Sequence, residues 1–238
     1  MSYDALVITA HPDDAETQMG GTLAKLAEGG QRILLVDLTE GEPSDFAPRG
    51  ERARQAAEAA RILGVERLTL GHQDRFLADD QGLRLEVAAL IREHRPRTVY
   101  AIGEACVHPD HVAAAGIARA AVFLARLGRW EDVPGGEQLA SQSRWMVNRL
   151  FFPHCKMETP WSEFAFAVDI SEVYARKRQA LAAYTSIFQP EGDRLLALYE
   201  AEDQYFGRLL GVAYAEVFRS ASPILLADPT VVLPGVHG

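Results

Sequence analysis

The sequence has few of the features that mark secreted, membrane-spanning or nucleic-acid-binding proteins. Only two of its 238 residues are cysteine, so no disulfide framework is needed and a reducing cytoplasm fits. The longest apolar runs, such as residues 5–10 and 33–36, are far too short to cross a bilayer. The first residues also lack the basic and apolar stretches of a secretory signal. Lys and Arg number 24 against 33 Asp and Glu, a net charge of −9, which argues against nucleic-acid or anionic-membrane partners.

What remains is the composition of an ordinary globular protein. Apolar residues make up 48% of the chain and charged residues 24%, which is close to the average for soluble domains. A chain of this length can bury a sizeable core within one domain. We therefore expect one soluble, cytoplasmic domain that spans residues 1–238.

The first half of the chain alternates strand-like and helix-like segments. Short apolar runs predict strands at residues 5–10, 33–38, 67–70 and 98–102. Helical periodicity predicts helices at residues 20–30, 51–63, 83–94 and 111–127. This alternation indicates an α/β fold, in which a Rossmann-like, doubly wound and mostly parallel sheet spans residues 1–127 and is flanked by helices.

Residues 128–238 are predicted to extend this core with a C-terminal elaboration. Residues 129–142 contain a Pro-Gly-Gly turn and few apolar residues, which predicts an exposed flap. The remaining segments predict strands at 147–152, 164–168 and 212–218 and helices at 171–184 and 194–210.

Polar residues cluster where the first four predicted strands end. The turns at residues 11–14, 39–43, 71–74 and 108–111 each follow one of these strands. All strands of a parallel sheet have their carboxyl ends at one edge, and ligands bind there. We therefore expect residues that are far apart in the sequence to meet in one cleft.

Two of these turns contain His-Pro-Asp and the side chains of a metal site. His11 and Asp14 offer an imidazole and a carboxylate three residues apart, and His111 supplies a second imidazole. Two histidines and one carboxylate, with an open position for water, form a recurring catalytic zinc site. The sequence therefore predicts a metal site at this edge of the sheet.

Further polar residues stand beside these three and are not needed to hold a metal: Asp13, His108 and Asp110. A hydrolytic zinc site needs such residues, as a base for water and as a donor to the developing oxyanion. The alternative is that His11 and Asp14 only cap the helix that follows, because Asp commonly caps helices. Two related turns at one sheet edge favour the metal site over this alternative.

The segments Ala10-His-Pro-Asp-Asp-Ala-Glu16 and His108-Pro-Asp-His111 resemble the two motifs of the PIG-L/LmbE-like family of zinc-dependent N-deacetylases. Weaker similarities extend along nearly the whole chain. Within the family the pattern looks most like the bacillithiol-pathway deacetylases, which remove acetate from a glucosamine joined to malate and often assemble as hexamers. The resemblance thus implies a homo-oligomeric enzyme with a small amino-sugar substrate, N-acetylglucosaminyl malate.

The resemblance also implies roles for the residues of the motifs. His11, Asp14 and His111 would hold one Zn²⁺ per subunit, with Fe²⁺ as an alternative metal. Asp13 would be the general base. His108 would act on the amide: oriented by Asp110, it would stabilise the oxyanion or protonate the leaving amine. We expect the Asp110 carboxylate to raise the pKa of His108.

Four further residues have a functional and a structural interpretation. Arg52 would bind a substrate hydroxyl or carboxylate, or would be a solvated residue near a helix start. Asp74 would touch the sugar or cap its own turn, and the turn is favoured. Glu16 is expected to support neighbouring residues without taking part in the chemistry. Cys106 shows no basic neighbour in the sequence, so a nucleophilic role is not expected.

Other functions remain open at the level of the sequence. Residues 106–107 stand where relatives of the bacillithiol subgroup often have Asp-Arg, which removes a cation that could face malate. The same zinc chemistry on another acylated amino sugar or on a thiol conjugate is therefore an alternative. A non-catalytic sugar- or nucleotide-binding module is a third, but it predicts a glycine-rich loop after the first strand, where this chain has His-Pro-Asp-Asp.

Overall fold

The computed structural model describes residues 2–43, 47–103, 105–155, 164–188 and 193–226. These residues form one seven-stranded sheet with helices on both faces. The strands are β1 (Ala5–Thr9), β2 (Ile33–Thr39), β3 (Glu66–His72), β4 (Thr98–Ala101), β5 (Arg149–Pro153), β6 (Phe166–Asp169) and β7 (Ala215–Ser220). The helices are α1 (Asp14–Glu28), α2 (Glu51–Leu63), α3 (Gln81–His94), α4 (Pro109–Leu124), α5 (Glu137–Ser141), α6 (Tyr174–Ala182), α7 (Thr185–Phe188) and α8 (Arg194–Leu209). Within the described ranges, every helix is too short or too polar to span a membrane.

The strand order is β3-β2-β1-β4-β5-β7-β6. Strand β1 pairs in parallel with β2 and β4, β2 pairs in parallel with β3, and β4 pairs in parallel with β5. Strand β7 runs antiparallel to both β5 and β6. The prediction of a doubly wound, mostly parallel α/β sheet is therefore confirmed.

The central strands are apolar on both faces because helices cover both sides of the sheet. Successive side chains of a strand point to opposite faces. Leu6 and Ile8 of β1 accordingly pack in a core with residues of α3 and α4, whereas Ala5 and Val7 pack in a second core with residues of α1, α2 and α6. This double burial explains the unbroken apolar runs that identified the strands.

The first helix begins earlier than the sequence predicts. The prediction placed its start at residue 20, whereas α1 starts at Asp14, directly after a residue in the left-handed conformation, Asp13 with φ 98°. Met19 interrupts the helix with φ −148° and ψ 22°. The predicted segment corresponds to the part of α1 beyond this break, and the earlier turn carries the polar motif.

Residues 129–142 are only in part the exposed flap that the sequence predicts. Most of the segment is exposed, but Trp130 and Leu139 are buried in the core beside α3 and α4. The buried guanidinium of Arg92 on α3 also donates hydrogen bonds to the backbone oxygens of Ala125 and Leu139. The prediction of an exposed segment thus holds for most of these residues, but it missed the anchors Trp130 and Leu139, which are too sparse to form a periodic pattern.

The C-terminal elaboration continues the same sheet and is tied to the first helix. Glu216 on β7 accepts hydrogen bonds from the backbone nitrogens of Gly21 (2.9 Å) and Thr22 (2.7 Å) and from the Thr22 hydroxyl (2.6 Å). The fully buried Lys177 of α6 donates to Glu216 and lies 2.7 Å from Asp203 of α8. This cluster holds the middle of α1 against β7.

Candidate metal and catalytic site

The loops after β1, β2, β3 and β4 meet at one edge of the sheet, as the topology requires. The carbonyl oxygen of Ala10 accepts hydrogen bonds from both the backbone nitrogen and the hydroxyl of Thr39, each at 2.9 Å. These bonds join the loop after β1 to the end of β2. The polar turns of the sequence therefore surround one site.

His11, Asp14 and His111 form a buried group whose ligand atoms all lie within 4.8 Å of one another. Asp14 stands between the two imidazoles. Its Oδ1 lies 3.0 Å from His111 Nε2 and its Oδ2 lies 3.4 Å from His11 Nδ1. Each of the three residues is only 6% exposed. The geometry brings together the three side chains that the sequence predicted as metal ligands.

The alternative in which Asp14 only caps a helix does not fit this geometry. Asp14 is the first residue of α1, and its Oδ2 accepts a hydrogen bond from the backbone nitrogen of His11, which precedes the helix, at 2.8 Å. The carboxylate therefore faces the two imidazoles and lies outside the helix hydrogen-bond ladder. The capping residue at this edge is instead His108, whose side chain accepts from the backbone nitrogen of Asp110 at the start of α4.

The electrostatics of this group favour positive charge. Burial acts to lower the pKa of His11, but hydrogen bonds and charge attraction to Asp14 and Asp74 outweigh burial and raise that pKa to about 11. For His111, attraction to Asp14 likewise outweighs burial and raises the pKa to about 10. A divalent cation that binds here displaces such protons, because metal ligands must be deprotonated.

A second pair of carboxylates orients His11 from the other side of its ring. His11 Nε2 lies 2.9 Å from Asp74 Oδ1 and 3.2 Å from Asp110 Oδ2. A metal-binding histidine commonly donates its other N–H to a carboxylate, which fixes the tautomer. The ring nitrogens that face Asp14 are Nδ1 of His11 and Nε2 of His111. The sequence does not show the contact between Asp74 and His11, and its only sign there is the position of Asp74 after a predicted strand.

Asp110 acts on His11 and on a loop, whereas the sequence analysis assigned it to His108. Its carboxylate accepts backbone hydrogen bonds from Arg75 at 2.7 Å and from Leu77 at 3.2 Å. Its contact with His108 runs through the backbone, since the Asp110 nitrogen donates to His108 Nδ1 at 3.2 Å. The predicted orientation of His108 by the Asp110 carboxylate is therefore wrong, because that carboxylate is engaged by His11 and by residues 75–77.

His108 lies against both proposed metal-binding histidines. Its ring stacks on His111 with centroids 4.7 Å apart and meets His11 edge to face at 5.0 Å. Burial first, and then the positive charges of His111 and His11, lower the pKa of His108, and these effects outweigh the opposing effect of Asp110. The expectation of a raised pKa is thus wrong, because it counted the attraction of Asp110 and left out burial and the charges of the two facing imidazoles.

Arg52 binds the side chain and backbone of the first motif. Its guanidinium donates to Asp13 Oδ1 at 2.6 Å, to the Pro12 oxygen at 2.8 Å and to the Gly41 oxygen at 3.0 Å. A Cβ at position 41 would fall 2.6 Å from the guanidinium carbon, and the backbone there has φ 66°. Gly41 therefore leaves the space in which Arg52 reaches Asp13.

The pKa of Asp13 is raised to about 6. Burial is the main cause and Asp14 adds to it, whereas the Arg52 charge acts in the opposite direction. A carboxylate with a pKa near neutrality suits a general base. The geometry thus adds a positioning contact to the role that the sequence assigned to Asp13.

Glu16 lies below the site and takes no part in the metal group. Its Oε1 accepts hydrogen bonds from Arg67 at 2.6 Å and from the Tyr184 hydroxyl at 2.9 Å. Arg67 in turn donates to both carboxylate oxygens of Asp37 on β2. This buried network fixes α1 against β2 and β3, in agreement with the supporting role expected for Glu16.

Cys106 has a basic neighbour that the sequence does not reveal. Its Sγ lies 3.2 Å from His111 Nδ1 and 2.8 Å from the Sγ of Cys155. Its hydrogen bond with Cys155 and the contact with His111 outweigh burial and lower the pKa of the Cys106 thiol to about 5. The statement that no basic group stands near this thiol is therefore wrong.

Comparison with known proteins gives three consistent matches along the chain. Residues 6–122 match the family model described as PIG-L, GlcNAc-PI de-N-acetylase. The structure is similar to that of the conserved protein TT1542 from Thermus thermophilus, with 40% identity and a TM-score of 0.83 over 94% of this chain and 97% of that one. The diacetylchitobiose deacetylase of Thermococcus kodakarensis is 28% identical over 93% of this chain and 84% of its own length.

A further relative acts on a different sugar conjugate. The 1D-myo-inositol 2-acetamido-2-deoxy-alpha-D-glucopyranoside deacetylase of Nocardiopsis dassonvillei is 26% identical over 79% of this chain and 86% of its own length. The names of both deacetylases describe removal of an acetyl group from an acetylated amino sugar. Their names differ in what the sugar is joined to.

Proposed function

Because the chain belongs to the PIG-L family of de-N-acetylases, we propose that it hydrolyses the N-acetyl amide of an N-acetylglucosaminyl conjugate with a metal held by His11, Asp14 and His111. The observation that carries this proposal is the buried group of these three residues with Asp13 directly beside it. The relatives named as amino-sugar deacetylases support the choice of the bond and of the sugar.

The donor set fits a zinc ion. Two imidazole nitrogens and one carboxylate oxygen face each other, and catalytic zinc sites commonly have three protein ligands of this kind. The raised pKa values of His11 and His111 indicate a position that is favourable for a cation. Imidazole also suits Fe²⁺, so metal analysis of the purified protein decides between the two.

Zinc, when bound, supplies Lewis acidity that polarises the amide carbonyl and makes water more acidic. Asp13 then accepts a proton from the attacking water and carries it to the leaving nitrogen. Arg52 holds Asp13 Oδ1 at 2.6 Å, so the direction of the carboxylate is fixed. The left-handed backbone at Asp13 turns this side chain away from the start of α1 while its neighbour Asp14 faces the imidazoles.

His108 is the donor to the carbonyl oxygen in this proposal. Its Nδ1 accepts the backbone N–H of Asp110, so the neutral imidazole carries its proton on Nε2. A donor that is already in position stabilises the negative charge that develops on the amide oxygen, because it needs no reorganisation. The neutral ring serves this role without the protonation that the sequence analysis expected.

For the group joined to the sugar we keep malate, the aglycone implied by the sequence. Malate is a dicarboxylate, and two arginines lie in the loops of this edge, Arg49 before α2 and Arg75 after β3. Both side chains belong to exposed residues. They offer positive charge in place of the arginine that relatives of the bacillithiol subgroup often have at position 107, where this chain has Val107. The relatives above carry inositol or a second sugar at this position in their names, so the aglycone needs a direct comparison of substrates.

The proposal is tested by the release of free amine from three substrates: N-acetylglucosaminyl malate, N,N'-diacetylchitobiose and methyl N-acetylglucosaminide. We expect hydrolysis with a preference for the malate conjugate. A preference for an uncharged substrate would contradict malate as the group joined to the sugar, but it would still support deacetylase activity. Binding of the sugars without amine release, in protein loaded with zinc or ferrous ion, would contradict catalysis.

A pair of neighbouring substitutions separates the base from the ligand. Asp13→Asn should keep stoichiometric metal and lower kcat about 10²–10⁴-fold, because the proton acceptor is lost. Asp14→Asn should weaken metal binding. The exposed Asp132→Asn is the matched control and should behave as the parent. Parental activity of Asp13→Asn, or parental metal affinity of Asp14→Asn, would contradict these assignments.

A further inference from the structure

The two cysteines of the chain contact each other and a proposed metal ligand. The Cys106 and Cys155 sulfurs are 2.8 Å apart, although 49 residues separate them in the sequence. Cys106 Sγ lies 3.2 Å from His111 Nδ1, and Cys155 Sγ lies 4.0 Å from it. Neither sulfur belongs to a disulfide, and the two residues are buried, 7% and 2% exposed. The deacetylation proposed above uses neither sulfur.

The Cys106 sulfur occupies the position that orients His111. The ring presents Nε2 to Asp14 and the metal position, which leaves Nδ1 facing the thiol. The partner of the second ring nitrogen fixes the orientation and basicity of a metal-binding histidine, and such partners are commonly carboxylates, backbone carbonyls or water. Any change at the Cys106 sulfur therefore acts directly on a ligand.

We propose that Cys106 and Cys155 form a reversible disulfide that weakens metal binding at His11, Asp14 and His111. The effect on the metal rests on the function proposed above, whereas formation of the disulfide does not. A sulfur–sulfur bond is about 2.05 Å long. Forming it draws Cys106 towards Cys155 and consumes the sulfur group that meets His111 Nδ1.

A peroxide supplies the oxidant for this step. The Cys106 thiol gives up its proton, and its thiolate attacks one oxygen of hydrogen peroxide. The O–O bond breaks, and the leaving hydroxide takes up that proton, so that a sulfenic acid and water result. The Cys155 thiol likewise gives up its proton, and its thiolate attacks the Cys106 sulfur. The S–O bond breaks, and the leaving hydroxide takes up the second proton as water. Two thiols have lost two electrons and two protons to one peroxide, and a dithiol reductant such as dithiothreitol reverses the change by exchange.

A small oxidant has a route to this pair. Cys106 lies in the loop that joins β4 to α4, at the edge of the sheet where the candidate site opens. Its neighbour Val107 is 63% exposed. The thiol therefore lies directly beneath the surface of the loop, and Cys155 lies behind it after the adjacent strand β5.

The distance between the sulfurs favours a disulfide over a second metal site. Cys106, Cys155 and His111 could in principle hold a soft metal, because their ligand atoms lie within 4.8 Å of one another. Two thiolates bound to one tetrahedral zinc at about 2.3 Å stand about 3.8 Å apart. The observed 2.8 Å is well inside that separation.

The disulfide is tested by mapping thiols. The zinc-loaded full chain is treated with hydrogen peroxide, alkylated under denaturing conditions, digested and examined by mass spectrometry. We expect a cross-linked peptide pair that contains Cys106 and Cys155, and its disappearance after dithiothreitol. Cys155→Ala should give no such pair. Recovery of both residues as alkylated thiols after peroxide would overturn the proposal.

The effect on the metal is tested by chelator competition with reduced and oxidised protein. Loss of the partner of a ligand typically costs 10–100-fold in metal affinity, so we expect the oxidised parent to bind zinc about 10–100-fold more weakly. Reduced Cys155→Ala keeps the Cys106–His111 contact and should bind zinc with parental affinity. In the oxidised parent, dithiothreitol should restore the affinity of the reduced protein.

Two results would overturn the proposal in this arm. One is equal zinc affinity of the disulfide and dithiol forms, and the other is a second zinc per chain that disappears in Cys155→Ala. Reduced protein that binds no metal at His11, Asp14 and His111 would instead contradict the proposed function. Thiol mapping still decides in that case whether the disulfide forms.

Discussion

The charge of His108 depends on His111 of its own turn and on His11 of the turn after β1. The sequence shows Asp110 beside it and suggests an imidazolium. The ring centroids of His11 and His111, however, lie 5.0 and 4.7 Å from that of His108, and their charges oppose a further proton. A divalent cation at the same position acts in the same direction. At neutral pH the residue is therefore a neutral donor through Nε2.

We expect His108→Ala to retain its metal and to lower kcat about 10²–10³-fold, the usual cost of removing an oxyanion donor. The ring is already neutral above its lowered pKa, so the substitution should leave any alkaline limb of the pH profile in place. Metal analysis and the pH dependence of kcat check both points. His72→Ala, at the end of β3, is the control and should match the parent. If the variant lost an alkaline limb that the parent shows, His108 would instead act in its protonated form.

Arg52 is expected to act through Asp13, because its guanidinium is held by Asp13 and by two backbone oxygens. Asp13 functions as a base only when it is ionised, so activity should fall as the pH drops through its pKa of about 6. Arg52→Ala removes a charge that lowers this pKa. The acid limb of kcat/KM should therefore move to higher pH, and kcat should fall.

The neighbouring Arg54→Ala is the control for this shift, because Arg54 pairs with Glu51 on the surface of α2. It should keep the parental acid limb. A rise in KM with an unmoved acid limb in Arg52→Ala would instead favour the substrate-binding role that the resemblance implies.

At the scale of single elements, local signals predicted the structure where they were strong. Helix α2 has the predicted bounds, because its apolar spacing is regular and Gly64 ends it in the left-handed conformation with φ 78°. The start of α1 was missed because the left-handed Asp13 and the break at Met19 leave no periodic trace. The meeting of His11, Asp14 and His111 was predictable because each lies in a motif that directly follows a strand of a parallel sheet.

The contacts that tune these ligands were not predictable. Asp74 follows β3 and contacts His11 in the loop after β1, and Cys155 follows β5 and contacts Cys106 in the loop after β4. These contacts arise only because β3 and β5 end at the same edge of the sheet as β1 and β4. The sequence shows which residues stand at the sheet edge, whereas the orientation of a side chain within the cleft depends on packing from several elements. For this reason the predicted direction of the His108 pKa shift was wrong, although the predicted position of His108 at the sheet edge was right.

Gly21 on α1 gives an element-scale prediction. A Cβ at this position would lie 2.7 Å from Cβ of Ile170, which follows β6. Gly21→Ala should therefore lower the free energy of unfolding by about 1–3 kcal/mol, the usual cost of overpacking. Urea unfolding followed by circular dichroism measures this cost.

Gly82→Ala in α3 is the matched control, since its Cβ would meet the nearest atom at 3.4 Å. It should leave the free energy of unfolding unchanged or higher, because alanine favours a helix. A parental unfolding midpoint for Gly21→Ala would contradict the close packing of α1 against this segment.

The buried cluster around Lys177 acts at the scale of the whole molecule, because it joins α6, α8, β7 and α1. Lys177→Met leaves the carboxylates of Asp203 and Glu216 buried without their cation. Breaking a buried ion pair in this way costs about 3–5 kcal/mol, which should appear as a lower midpoint of urea unfolding. Arg61→Ala, which removes a surface pair with Glu58, should leave the midpoint unchanged. A similar midpoint for both variants would contradict a central role of the cluster.

The bond between Glu216 and α1 has a consequence for the order in which the protein is made. Gly21 and Glu216 are 195 residues apart, so the ribosome releases the helix that carries Asp14 long before it releases the carboxylate that holds that helix. During translation the first motif exists without its final partner. Assembly of the candidate site around α1 is therefore expected to wait until β7 has emerged and Glu216 can bind that helix.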